Sequence, residues 1–231
     1  MIDSRSIPIR FSNLKRIAES PAHYQHAINS QFVASRSMRL GTIAHALVFG
    51  TDLVVWDGDR RGKAWDAFKA DHAGLEIMTR SEVDEATPIA NAVARCTEAA
   101  PLLRGITERR IDWTYCGRAA RSTPDVRGTN FVTDLKTTRS AKPGKFAKDA
   151  IWRGYHAQLA FYQEACGLPE TAPCYIVAVE NVAPYCVTVF EIEQAAIDAG
   201  RMLCRSWFER LTICEDANHW PGYGDEQEET P

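Results

Sequence analysis

The sequence lacks any run of about 18 apolar residues, the length a helix needs to cross a membrane, so no spanning helix and no membrane partner are expected. Its start, Met1-Ile2-Asp3-Ser4-Arg5, leads into polar sequence without an apolar h-region, which argues against secretion and makes the cytoplasm the expected compartment. There is no C-x-x-C pair and no short metal-type cysteine spacing. The seven cysteines (Cys96, Cys116, Cys166, Cys174, Cys186, Cys204 and Cys214) therefore read as reduced thiols, many of them buried. An iron–sulfur cluster is not expected, although one gathered from distant cysteines would fit the same count. Zinc-finger, recognition-helix and glycine-rich nucleotide-loop signatures are all missing, which argues against sequence-specific DNA readout and ATP use. No internal repeat occurs.

What is present is a chain of 231 residues, 45% hydrophobic and 25% charged, enough for one domain with a substantial core. The net charge of −3 hides a strong asymmetry. Residues 1–103 balance 12 basic against 12 acidic side chains, whereas residues 104–153 carry 12 basic and 5 acidic, a net of +7. Residues 154–214 return to −4, with 3 basic and 7 acidic side chains, and residues 215–231 hold 6 acids and no base. A basic middle in an acidic chain fits a surface that meets phosphate, and equally a randomly uneven solvated surface.

Periodicity divides the chain. Helices are expected from Phe11 through Ile17 with Ser12 as cap, over residues 22–30, and over residues 38–50 with Gly50 closing the last. A short strand, a mobile basic loop and a helix near residues 63–72 follow. Another helix runs from Ser81 to about Ala100, with Ser81 and Asp84 suited to its N-terminus. Alternation then signals strands over residues 107–115, 118–126 and 130–137, the last two joined by a turn at residues 127–130. Helical spacing returns at residues 146–166, strands at 174–180 and 185–191, and a last helix at 193–213. The order implies an α/β domain on a mixed sheet with an N-terminal helical layer. The domain would span residues 1–214, with its core at about 104–213 and the helical part at 11–103. The acidic residues 215–231 are expected to be disordered.

On the third strand Asp134 and Lys136 are two apart and share a face, while Thr133 and Leu135 point to the other. Asp125 ends the preceding strand, and a tight turn can set it beside Asp134. Two converging carboxylates suit a hard divalent cation; phosphodiester hydrolysis needs a metal to activate water, and a lysine beside it can orient that water or stabilise the developing charge. By spacing alone, P-D-x(8)-D-x-K is also what a structural ion pair would produce.

Several blocks in order resemble the PD-(D/E)xK nuclease superfamily, in particular its RecB-like and RecE-type phage exonuclease branch, with lambda exonuclease more distant. They are Ser12-Asn13-Leu14-Lys15 with Ser20-Pro21-Ala22-His23-Tyr24, then Gly41-Thr42-Ile43-Ala44-His45-Ala46-Leu47, Pro124-Asp125, Asp134-Leu135-Lys136-Thr137-Thr138, and Gly154-Tyr155-His156-Ala157-Gln158-Leu159-Ala160-Phe161-Tyr162. The resemblance implies a restriction-endonuclease-like core and a magnesium-dependent exodeoxyribonuclease, with manganese as a substitute ion. Asp125, Asp134, Lys136, Gln158 and Tyr162 would be catalytic. His45, Asp125, Asp134 and the Leu135 backbone carbonyl would hold metal, and Glu108 is a further acidic candidate. Arg118, Arg121, Arg139, Lys142, Lys145, Lys148 and Arg153 would track the phosphate backbone, and Arg36 and Arg39 are candidates for a terminal phosphate. The implied substrate is the end of linear double-stranded DNA, degraded 5′ to 3′ by a ring of three or four subunits acting with a single-strand annealing protein in recombination or repair. A RecB-like single-strand or CRISPR-associated nuclease and an inactive DNA-binding module are the alternatives.

Overall fold

Hydroxyl caps and prolines set many of the element boundaries. The computed structural model describes residues 2–31 and 33–224. Helix α1 (Phe11–Leu14) runs into a 3-10 turn at Lys15–Ala18, and it is preceded by Arg10 without a side-chain cap, so Ser12 lies inside the helix. In α2 (Pro21–Asn29) the Ser20 hydroxyl accepts the His23 N–H. In α3 (Arg36–Phe49) Ser35 plays that part, and Gly50 ends the helix in the left-handed conformation, φ 69°. Strand β1 (Val54–Trp56), α4 (Gly62–Asp71) and β2 (Ile77–Thr79) form a small unit in which β1 and β2 pair in parallel. Helix α5 (Arg80–Arg95) begins on a capping box of Thr79 and Glu82, not on Ser81 and Asp84.

The strand region divides more finely than its alternation suggests. Five short and long strands replace the expected three: β3 (Ile106–Thr107), β4 (Ile111–Tyr115), β5 (Arg118–Ser122), β6 (Val126–Arg127) and β7 (Val132–Thr138). Pro124 has no N–H to give a ladder, so the expected strand at residues 118–126 breaks before Asp125. As a result β4 and β5 form a hairpin of their own. The helix expected at residues 146–166 likewise divides into α6 (Pro143–Trp152) and α7 (Tyr155–Ala165), because Gly154 turns left-handed at φ 69°. The chain closes with β8 (Cys174–Glu180), β9 (Val187–Ile192) and α8 (Gln194–Ala217).

The central sheet has the order β3-β6-β7-β8-β9; β7 and β8 are parallel and the other pairs antiparallel. It is a mixed sheet with helices on both faces, the expected α/β class. Leu135, Val177 and Val179 pack on one face against Leu40, Ile43 and Ala44 of α3 and Val83, Ala86 and Ile89 of α5. Val132, Ile176 and Ala178 pack on the other against Phe146 and Ala150 of α6 and Leu159 and Ala160 of α7. A third cluster joins the N-terminal helices, the β4–β5 hairpin, α7 and α8 through Phe11, Leu14, Tyr24, Tyr115, Phe161 and Phe208. No helix among the described residues is long and apolar enough to cross a membrane.

The acidic end starts later than its composition suggests. Residues 215–217 complete α8, and the Glu215 carboxylate, 3% exposed, takes two hydrogen bonds from Arg118 at 2.7 and 2.9 Å. It also accepts from the Ser4 hydroxyl at 2.6 Å. Residues 225–231 lie outside the described residues. Arg118→Ala would strand that buried carboxylate and is expected to cost about 3 kcal/mol of unfolding free energy in urea titration. A loss under about 1 kcal/mol, the range of a surface pair, would contradict a structural role.

Candidate active site

The site forms where β7 outruns its neighbour. β6 pairs only Val126 and Arg127 with Thr133 and Val132, so the edge of β7 beyond Thr133 has no strand beside it. Asp125, one residue before β6, fills the gap: its carboxylate accepts the Leu135 N–H at 2.7 Å. On the face of β7 turned toward α7, Asp134 and Lys136 form a close ion pair, with side chains 3% and 17% exposed. The Lys136 ammonium also sits 4.8 Å from the centre of the Tyr155 ring.

α3 delivers the imidazole. A Cβ on Gly41 would stand 3.1 Å from Thr137 Oγ1, so a glycine there lets the helix lie close against β7. His45, one turn further along, then faces the gap with Nδ1 3.6 Å from Asp125 Oδ2. From α7, Gln158 Nε2 donates to the Tyr162 hydroxyl at 3.0 Å. Glu108 also arrives: its N–H bonds to the Asp125 carbonyl at 3.0 Å, and its carboxylate accepts from Thr51 Oγ1 at 2.5 Å.

Electrostatics tie these groups together. Burial, then the charge on Asp134, push the Asp125 carboxyl well above the usual carboxylate range, against the pull of Lys136 and the Leu135 N–H. Burial alone would lower Lys136, yet the Asp134 and Asp125 carboxylates outweigh it and hold the ammonium above its ordinary value. Burial and the Lys136 charge keep the His45 imidazole low, and hence neutral. Burial and Asp134 raise the Tyr162 phenol to about 12. Each sequence-derived catalytic or metal candidate thus lies in one neighbourhood.

Among the described residues no three acidic, imidazole or thiol side chains stand together at metal-ligating geometry, and Asp134 is paired with Lys136. The donor set nevertheless suits a hard divalent cation: Asp134 is buried and Asp125 half-buried, Glu108 acts on both Asp125 and His45, and the imidazole is neutral. One ammonium leaves that cluster of acids short of positive charge.

The phosphate-path candidates separate into two groups. Arg118 is held by Glu215 of α8 and the Ser4 carbonyl, and Arg121 by Asp112 at 2.8 Å across the β4–β5 hairpin. Arg36 is paired with Glu85, and Arg39 with Glu76 and Glu82. Arg139, Lys142, Lys145, Lys148 and Arg153 are exposed, and none is in an ion pair among the described residues. Tyr155 and Lys15 also lie at the site, although no motif assigns either of them a role. Tyr155 lies under Lys136, and the partly buried Lys15 is lowered by burial, then by the charges of Arg16, Lys136 and Arg153. A tyrosine at the glycine break before Gln158 was the available signal for the first; nothing in the spacing marks the second. Of the seven cysteines, none forms a disulfide, and Cys116 and Cys186 are exposed.

The raised Asp125 carboxyl has a thermal consequence. Above the ordinary carboxylate range the unfolded chain has released this proton while the folded chain retains it, so metal-free stability falls as pH rises toward the Asp125 value. Asp125→Asn removes that contribution and keeps an oxygen for the Leu135 N–H. In chelator at pH 8 the variant is expected to melt a few degrees above wild type, with the gap closing toward pH 4. A lower melting temperature at pH 8 would contradict this.

The family model of the PDDEXK-like domain of unknown function (DUF3799) matches residues 10–229. Among solved structures, a "Putative exonuclease" from Eubacterium rectale superposes with a TM-score of 0.70 at 15% identity, over 94% of this chain and 84% of that one, a likeness of fold. The alkaline exonuclease LHK-Exo from Laribacter hongkongensis aligns over 78% of this chain and 93% of its own at 17% identity, with a TM-score of 0.33. Its complex with dAMP gives 0.36 at 18% identity, over 78% of this chain and 92% of that one, and neither score carries an argument. No curated protein matches the chain. With the family model covering nearly the whole length and the central mixed sheet flanked by helices, the chain belongs to the PDDEXK-like family and is a relative of the PD-(D/E)xK nucleases.

Proposed function

We propose that this protein is a divalent-metal-dependent exodeoxyribonuclease acting on the ends of linear double-stranded DNA. The observation that carries the reading is the meeting of Asp125, Asp134 and Lys136 with His45 at the open edge of β7. Family membership supports nuclease chemistry, and the exonuclease neighbour of like fold supports the exonucleolytic mode.

A bound magnesium ion, or manganese in its place, would supply an activated water and neutralise charge on the phosphate. Asp125, Asp134, the His45 imidazole and the Leu135 carbonyl are the groups to hold it. Lys136 is held as a cation by its two carboxylates, which suits it to stabilising negative charge on the phosphorus oxygens and not to taking a proton. Tyr162, bonded to Gln158 and feeling the Asp134 charge, keeps its proton and can donate toward a phosphate oxygen. Glu108 adds negative charge on the His45 side of the site. Arg139, Lys142, Lys145 and Arg153 would follow the sugar–phosphate backbone without reading bases.

The finer reading is attack from the 5′ end by a ring of three or four subunits, feeding a single-strand annealing partner. Its support is the sequence resemblance of the Ser12–Tyr24 and Asp134–Thr138 blocks. With magnesium, a 5′-phosphorylated linear duplex is expected to shorten from its 5′ ends while a covalently closed circle stays intact. Cleavage of the circle would replace the exonuclease with an endonuclease, and release of 3′-terminal nucleotides first would reverse the polarity.

A further inference from the structure

The exposed end of α6 carries a feature that the cleavage chemistry does not use. Trp152 is 90% exposed and Ile151 68%, among the most exposed large apolar side chains of the described residues. The two end α6, while Phe146 and Ala150 on the same helix point into the core. Lys145, Lys148 and Trp152 are three and four residues apart in succession, so they line one outward face. Arg153 follows, and Gly154 then turns the chain so that Tyr155 starts α7 beneath Lys136. Trp152 and Tyr155 are three positions apart, at most about 11 Å of chain. An exposed indole therefore stands on a rigid helix end, three positions along the chain from the ring beneath Lys136.

The surrounding charge selects the occupant. Residues 139–153 hold five bases (Arg139, Lys142, Lys145, Lys148 and Arg153) and one acid, Asp149. The bases are exposed and none is in an ion pair among the described residues. A bare aromatic ring among unpaired cations, beside a phosphodiester site, matches a ligand with flat π-faces on a polyanionic chain. It matches a second copy of this acidic chain less well on the apolar side, since Ile151 and Trp152 alone make a small patch ringed by like charges.

We propose that Trp152, backed by Ile151, is a nucleobase-stacking platform that receives an unpaired base of the DNA strand at the lip of the site. Lys145, Lys148 and Arg153 grip the adjoining phosphates. The platform rests on the nuclease reading of the site. Its contribution is to hold a frayed strand end, so that the next phosphate lies over Lys136.

The test is binding of a fluorescein-labelled oligothymidylate by the full chain in chelator, read by anisotropy and by quenching of tryptophan fluorescence. Trp152→Ala is expected to weaken binding about tenfold and to lose most of the quench, consistent with the worth of one stacked base. Trp152→Phe should retain affinity within about threefold while also losing quench. Lys148→Ala is expected to lower the slope of log K against log salt and leave the quench intact. Because the indole is exposed, far-UV dichroism and melting temperature should not change in either Trp152 variant. Wild-type affinity and quench in Trp152→Ala would overturn the proposal. So would a shift in sedimentation from oligomer to monomer with per-protomer affinity unchanged, which would assign the face to a second copy. If wild type cleaves linear duplex and Trp152→Ala binds equally well, the platform alone falls. If wild type neither binds nor cleaves DNA, the nuclease reading falls with it.

Discussion

Asp125 and Asp134 meet at the unpaired edge of β7 in surroundings that burial has stripped of most water, and the Lys136 ammonium answers both. The rest of the site follows from that imbalance. It lifts the Asp125 carboxyl and fixes Lys136 as a cation, and with burial it raises the Tyr162 phenol. Evolution of a stable core would favour an apolar pair here, since buried ion pairs return little net stability. A cluster of acids short of one positive partner makes better sense as a cation and phosphate site.

The scaffold contributes by what it omits. β6 stops after two residues, and this leaves the Leu135 N–H free for Asp125. Gly41 has no Cβ to hold α3 off Thr137, and this brings His45 within reach. Gly154 breaks what would be one long helix, so α6 ends outward at Trp152 while α7 begins under Lys136. Each of these is a local departure from regular structure, and each places one functional group.

Much of this was legible in the sequence, for identifiable reasons. The alternation at residues 132–138 sets Asp134 and Lys136 on one face whatever surrounds them, and the G-x-x-x-H spacing on α3 is a one-turn relation. The mixed sheet and helical layer follow from element order. What escaped was non-local or depended on one backbone angle. The Arg118–Glu215 pair links residues 97 apart, so Arg118 looked like a free cation and Glu215 like the start of a loose tail. The ion pairs of Arg36 and Arg39 are equally non-local, their partners lying on or beside α5. The β4–β5 hairpin leaves the main sheet because Pro124 interrupts the ladder, a break that alternation alone does not reveal.

The central claim is that the Asp134–Lys136 pair beside Asp125 is a phosphodiester-cleaving centre. The direct measurement is the magnesium-dependent rate of nucleotide release from linear duplex DNA by Lys136→Ala and Asp134→Asn beside wild type, with folding checked by dichroism. The account predicts a folded protein whose rate falls by about 100-fold or more in each variant. Release at the wild-type rate by either folded variant would contradict it.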